Sequence, residues 1–300
     1  MTHRGAGPRP EEKAAARPRR WRLRVPVKES LRLHADHHRL VLSSREIAAA
    51  ARPGQFLHVW PHDPEDIVRP PFGAVLRRPY SISAVSPPDE VELLLRVRGT
   101  GGKLVASKRA GDMLDVIGPL GNGFHIRDDL QVAVVVAGGV GLAPAPFLIQ
   151  HLAASGARVI VLAGATDDRM APFAVDRPRA GRASIPALAA LGADVTFVSE
   201  EVEGIVITEV LEARLGEFPT DGSAEVYSIG PRAMLKRLAE VTGAHFRLQV
   251  SLEERMACGL GACRSCVVPT RNRRGFAYQT VCRDGPVFLA SDVDWERLEP

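Results

Sequence analysis

No stretch of this 300-residue chain is apolar over the roughly 18–20 residues that a membrane-spanning helix needs. The longest apolar run, Val132 to Ala137, is flanked by glycines and reads as a buried strand. Residues 1–20 are rich in arginine, proline and alanine and lack the apolar core of a signal peptide, so a cytoplasmic location is expected. There is no internal repeat. No Ser/His/Asp set or pair of carboxylates stands at a spacing that supports nucleophilic or acid–base chemistry, so any chemistry should be carried by cofactors. Cysteine is absent from the first 257 residues; all four, Cys258, Cys263, Cys266 and Cys282, lie in one window of 25 residues. A reducing compartment disfavours disulfides, and clustering of this kind points to a metal or cluster site.

What is present is the balance of a globular enzyme, with 45% hydrophobic and 25% charged residues, and a length that suits two or three domains. The net charge of +4 is carried by the N-terminus, where Arg4, Arg9, Lys13, Arg17, Arg19, Arg20, Arg22 and Arg24 fall. No aromatics are interleaved with them, so a solvated, disordered basic tail over 1–20 is expected, and no nucleic-acid partner. Residues 21–127 alternate short β-type runs (Leu40–Leu42, Phe56–Trp60, Glu90–Val97, Asp112–Ile117) with turn residues, as an antiparallel barrel does. Pro61 to Pro71 reads as a loop between strands. Over 128–243 apolar runs at Val132, Arg158, Asp194 and Glu225 alternate with helical stretches at Pro146–Ala154, Ile207–Arg214 and Pro231–Val241. That is the order of a doubly wound parallel sheet. Asp167 to Pro186 reads as an inserted loop, and 244–300 as a small cysteine-bearing module.

The cysteine spacing is C-x4-C-x2-C-x15-C, which matches plant-type [2Fe–2S] ligation, and Gly259, Gly261, Ala262 and Ser265 supply small residues around it. A structural zinc site or buried free thiols are the other readings. Arg78-Pro79-Tyr80-Ser81 offers what a flavin dinucleotide requires: a cation for pyrophosphate, a ring wall and a hydroxyl. The Arg96 to Lys103 segment adds a glycine-rich turn that can turn N–H groups toward phosphate. After the Val132 strand, Gly138-Gly139-Val140-Gly141-Leu142-Ala143-Pro144 provides a glycine turn and a helix start for a second pyrophosphate, without the third glycine of a Rossmann fingerprint. Asp167 and Asp168 would accept from a ribose 2′-hydroxyl and favour NADH over NADPH, with Arg169 acting the other way. Gly230-Pro231 forms another turn that would flank a nicotinamide. His34, His37 and His38 read as solvated surface histidines, His125 stands where it could approach flavin phosphates, and Ser43-Ser44 with Glu46 reads as a helix start.

The order R-P-Y-S, G-P-L-G-N-G-F (118–124), A-G-G-V-G-L-A-P (137–144), Gly-Pro and a cysteine loop resembles the ferredoxin–NADP reductase superfamily. Within it, Glu253 to Cys263 and Val281 to Phe288 are similar to the electron-transfer subunits of class B dihydroorotate dehydrogenase, the resemblance covering about residues 35–295. It implies that Arg78, Pro79, Tyr80, Ser81, Leu94, Leu95, Arg96, Gly101 and Gly102 hold FAD. Gly138, Gly139, Gly141, Asp167 and Gly230 would meet NAD(H), and the four cysteines a [2Fe–2S] cluster. The implied partner is an FMN-containing dihydroorotate dehydrogenase catalytic subunit, in a heterotetramer of two of each, serving pyrimidine biosynthesis. A subunit of a sulfhydrogenase-type or ferredoxin–NADP reductase-type complex is the alternative. Gly102, where many relatives carry threonine, and Arg264-Ser265, where smaller or apolar residues are expected, depart from the pattern.

Overall fold

The computed structural model describes residues 20–33, 36–62, 74–179, 181–272 and 275–298. Residues 1–19 of the expected tail, His34 and most of the Pro61 to Pro71 loop lie outside the described residues.

Six antiparallel strands close a barrel: β1 (Trp21–Arg32), β2 (His37–Ser43), β3 (Phe56–Val59), β4 (Arg78–Ser86), β5 (Glu90–Arg96) and β6 (Met113–Leu120), in the order β1-β2-β5-β4-β3-β6. Alternation explains β1, where Leu23, Val25 and Val27 turn inward while Arg22, Arg24 and Pro26 face out. Arg22 and Arg24, which share the basic charge of the N-terminus, are strand residues of the 21–127 unit, and Arg22 donates to Asp115 of β6 at 2.7 Å. Ser44 caps α1 (Arg45–Ala50) by accepting from the Ile47 N–H, as expected of a helix start. The glycines expected to form a turn after β5 instead open a helix, α2 (Gly99–Ala106). A first helical turn tolerates them because its N–H groups need no intrahelical partner. His37 and His38 are also corrected. Both are buried at the start of β2, where they pair with Arg96 and Leu95 across the barrel wall, and His38 Nε2 lies 2.8 Å from Ser30 Oγ.

The second unit is a sheet of five parallel strands, β7 (Val132–Gly138), β8 (Arg158–Ala165), β9 (Asp194–Ser199), β10 (Ala224–Ile229) and β11 (Arg247–Ser251), in the order β11-β10-β7-β8-β9. Helices α3 (Ala145–Ala154), α4 (Pro186–Ala189), α5 (Glu200–Glu203), α6 (Ile207–Arg214) and α7 (Arg232–Thr242) connect them. The run at β7 is continuous because both faces are covered: Val134 and Val136 meet Leu211, Leu235 and Leu238, while Ala133, Val135 and Ala137 meet Leu148, Ile149 and Leu152. The chain reverses direction across the sheet between β7 and β10, and their carboxyl ends form the crevice where such sheets bind ligands.

The cysteine segment contributes a hairpin, β12 (Val267–Asn272) and β13 (Gly275–Thr280), and then β14 (Val287–Leu289), which pairs antiparallel with β11. Residues 244–300 thus supply two strands of the α/β sheet, and Cys266, Val268, Val281 and Cys282 share one apolar core with Val250 and Leu235. Among the described residues no helix is long and apolar enough to cross a membrane.

Candidate functional site

A cleft of about 680 Å³ opens at the carboxyl end of the parallel sheet. Gly138 and Gly230 face one another across the reversal point: a methyl group on Gly230 would sit 3.2 Å from the Gly138 nitrogen and 2.4 Å from Met234 Cε. Gly141 packs still closer, since a methyl there would lie 2.4 Å from the Ile229 carbonyl oxygen. Gly139 holds φ of +55°. These four glycines let two turns approach the cleft with bare backbone, as a bound pyrophosphate requires. The turn after β7 is a 3₁₀ turn (Gly139–Leu142), and α3 begins only beyond Pro144.

Asp167 stands apart from this wall. Its carboxylate accepts from the N–H groups of Arg169 (2.6 Å) and Met170 (3.1 Å), capping a short turn. Asp168 is engaged by the Arg177 guanidinium through two bonds of 2.7 Å, which hold its carboxyl below the usual range. Two acidic side chains do line the cleft, Glu253 and, with Thr166 and Thr208 also in the wall, Glu200. Glu200 follows β9 without any motif, so the sequence offered no signal for it.

A second cavity of about 210 Å³ lies against the barrel, lined by Pro79, Tyr80, Ser81, Leu94, Leu95 and Met256 among others. Tyr80 and Ser81 are half-buried on β4, and burial pushes the Tyr80 phenol up to about 12. Arg78 passes directly over the first turn of α2: a methyl on Gly101 would lie 2.8 Å from Arg78 Nε. Its Nη1 donates to the Leu76 carbonyl at 2.7 Å. A guanidinium above a helix N-terminus is a fitting cradle for pyrophosphate. A methyl on Gly102 would meet only Val97 backbone atoms at 3.7 Å, so the site also has room for the threonine of the resembled pattern. Arg96 is fixed by Asp36 (2.7 Å) and Met170. His125 is exposed, and its backbone is tied to Gln249 rather than to the Arg78 cradle.

The four cysteines form two pairs. The Cys258 sulfur accepts from the N–H groups of Leu260 (3.4 Å) and Cys263 (3.5 Å), and Cys263 Sγ lies 3.2 Å from the Ser265 hydroxyl. That hydroxyl draws the exposed Cys263 thiol down to about 6, with the Ser265 and Cys258 groups adding to it. Cys266 and Cys282 are buried together; burial first, and then the neighbouring Cys266 thiol, push Cys282 up to about 12, while the Gly261 N–H acts the other way. Cys258 is close enough to Cys282 to contribute as well. Among the described residues no three Cys, His, Asp or Glu side chains gather around one point as a single ion requires. Two adjoining thiol pairs, with N–H groups directed at sulfur, fit a two-iron cluster with one pair per iron. Positive φ at Gly259 (+69°) and Gly261 (+84°) bends the loop around them. Gly259 lies against the buried His58 ring, with room for no methyl (2.5 Å to Nδ1). Burial and the Arg77 charge push His58 down to about 4, so an uncharged imidazole joins barrel to cysteine loop.

Comparison with known proteins places this arrangement. The iron–sulfur cluster binding domain of dihydroorotate dehydrogenase B matches residues 253–294. The dihydroorotate dehydrogenase B (NAD(+)) electron transfer subunit of Caldanaerobacter subterraneus subsp. tengcongensis is 33% identical over 277 residues, covering 91% of this chain and 99% of that protein. The chain belongs to the family of dihydroorotate dehydrogenase B electron transfer subunits. The family member from Enterococcus faecalis strain V583 is 34% identical and spans 85% of this chain and 92% of its own length. Among solved structures, an NADH-dependent reduced ferredoxin–NADP oxidoreductase studied for flavin-based electron bifurcation has a TM-score of 0.73 at 24% identity, covering 91% of each chain. A Plasmodium falciparum ferredoxin–NADP+ reductase has a TM-score of 0.57 at 12% identity, over 75% of this chain and 90% of that one. These structures share the barrel and the parallel sheet with this electron transfer subunit family member.

Proposed function

We propose that this chain carries electrons between NAD(H) and an FMN-containing dihydroorotate dehydrogenase subunit, through FAD and a [2Fe–2S] cluster, as the NAD-facing half of a cytoplasmic enzyme of pyrimidine synthesis. One observation carries the reading: Met256 walls the barrel-side cavity while Cys258, two residues on, begins the thiol set, so the two cofactor sites share one short segment. FAD exchanges a hydride with nicotinamide and single electrons with a cluster, which is the conversion such a subunit supplies. The residues hold those groups in place. Arg78 and the N-terminus of α2, with Gly101 and Gly102, would neutralise the FAD pyrophosphate. Pro79, Tyr80, Ser81, Leu94 and Leu95 would wall its ring, with Arg96 at the edge. Gly138, Gly139, Gly141 and Gly230 would take the nicotinamide dinucleotide, with Glu200 rather than Asp167 nearest its ribose. Cys258 and Cys263 would hold one iron, Cys266 and Cys282 the other. Cys263 and Leu260 are exposed, which gives the cluster an open edge toward a partner. The proposed complex holds two of each subunit.

The test is co-expression with a candidate FMN-containing dehydrogenase. The expected chain is brown and holds one FAD and two irons. It reduces dyes with NADH alone and forms orotate from dihydroorotate and NAD only with the partner. A colourless protein binding one zinc would overturn the proposal, as would a pair of subunits that forms no orotate.

A further inference from the structure

The nucleotide cleft and the barrel-side cavity have three wall residues in common, Arg96, Val140 and Glu253. Two of them need no partner. Val140 is apolar, and the Arg96 charge is neutralised by Asp36 at 2.7 Å. The neighbouring charges are also matched: Arg232 by Glu254, and Arg237 by Glu212 (2.8 Å) and Glu240 (3.4 Å). Glu253 differs, because among the described residues no arginine, lysine or histidine forms an ion pair with it. Its side chain is exposed where the two cavities meet, and partial desolvation by the cleft wall raises its pKa. An exposed carboxylate with no cationic partner, standing where two cavities meet, is available to a cationic group of a bound ligand.

We propose that Glu253 is a specificity residue that favours the cationic nicotinamide ring of NAD+ over the neutral ring of NADH. This rests on the nucleotide reading above and deepens it. The place where both cavities meet is where a nicotinamide would approach a flavin, and the two oxidation states of the ring differ there by one positive charge. A carboxylate facing that point interacts with the oxidised ring and is indifferent to the reduced one. The consequence suits a subunit whose electrons flow toward NAD: the acceptor is held and the product is released.

The experiment compares equilibrium binding of NAD+, NADH and ADP-ribose to the cofactor-loaded protein and its Glu253→Gln variant. ADP-ribose, which has no nicotinamide, reports on the rest of the cleft. NAD+ affinity should fall about tenfold while NADH and ADP-ribose stay within about twofold, a difference of roughly 1.4 kcal/mol. Glu253→Lys should weaken NAD+ further in the same order. Equal losses for NAD+ and NADH, or no loss at all, would overturn the role of Glu253 and leave the nucleotide cleft standing. Failure of the unaltered protein to bind any of the three would overturn the nucleotide reading and this assignment together.

Discussion

Arg264 holds φ of +56°, the left-handed region that side chains pay about 1–2 kcal/mol to enter, and it does so between Cys263 and Cys266. Glycine there would relieve most of that strain but would lose about 0.5–1 kcal/mol more entropy on folding. Arg264→Gly is therefore expected to raise stability by up to about 1 kcal/mol in urea unfolding. A loss instead would mean that the guanidinium makes a contact worth more than the strain. Asp115 argues in the opposite sense. Its burial acts to raise the carboxyl pKa, but hydrogen bonds and charge from Arg22 and Arg77 outweigh it, and the net value is lowered. A folded pKa below the unfolded value of about 3.9 means that this stability is complete above that pH and is lost as pH falls through the folded value. Asp115→Asn should lower stability at neutral pH by about 1–3 kcal/mol and flatten its decline below pH of about 4. Urea midpoints across pH would show this, and an unchanged acid slope would rule it out. Neither position could be valued from sequence: Arg264 looks merely unusual there, and nothing local shows that Arg22 and Arg77 meet Asp115 across the barrel.

At the scale of elements, the long periodic segments were legible. The Ile207–Arg214 helix falls where its pattern predicts, and the Val132 run extends only one residue further as β7. Elements set by distant contacts were not. β1 carries five charged residues among its twelve and becomes a strand because β2 and β6 pair with it on either side. α2 hides in a glycine run, and His37 and His38 look polar until the barrel closes over them. The turns after β8 and β9 show the same limit for the site. Local chemistry points to Asp167, whereas the fold uses its carboxylate as a cap and brings Glu200 to the cleft. Asp167→Ala should cost about 0.5–2 kcal/mol of stability and leave the NADH-to-NADPH ratio of kcat/KM unchanged. Glu200→Gln should shift that ratio toward NADPH, because it removes the charge that opposes a 2′-phosphate. The assignment of Glu200 is wrong if Asp167→Ala moves the ratio and Glu200→Gln does not.

For the whole molecule, the cysteine segment is bound into both other units at once. The Asn122 N–H donates to the Gly285 carbonyl at 2.6 Å and its side chain to the Asp284 carbonyl at 2.9 Å, which joins the end of the barrel to the turn after Cys282. Leu252 N–H donates to Pro286, and β14 pairs with β11, so the same turn is fastened to the parallel sheet. Electron transfer gains from this, because the distance between the barrel-side cavity and the thiols is set by packed backbone rather than by a linker. A cluster held this way should be lost only when the frame around it opens. Heating the loaded protein should therefore bleach the visible absorption of the cluster and reduce the far-UV dichroism in one coincident transition. Asn122→Ala removes the exposed side-chain hydrogen bonds to the Asp284 and Arg283 carbonyls while keeping the backbone one to Gly285, at a cost of about 0.5–1.5 kcal/mol. It should lower both midpoints together. If bleaching instead precedes the loss of secondary structure, in the unaltered protein or only in the variant, the segment opens on its own, and the cofactor spacing is then held by the cysteine loop alone.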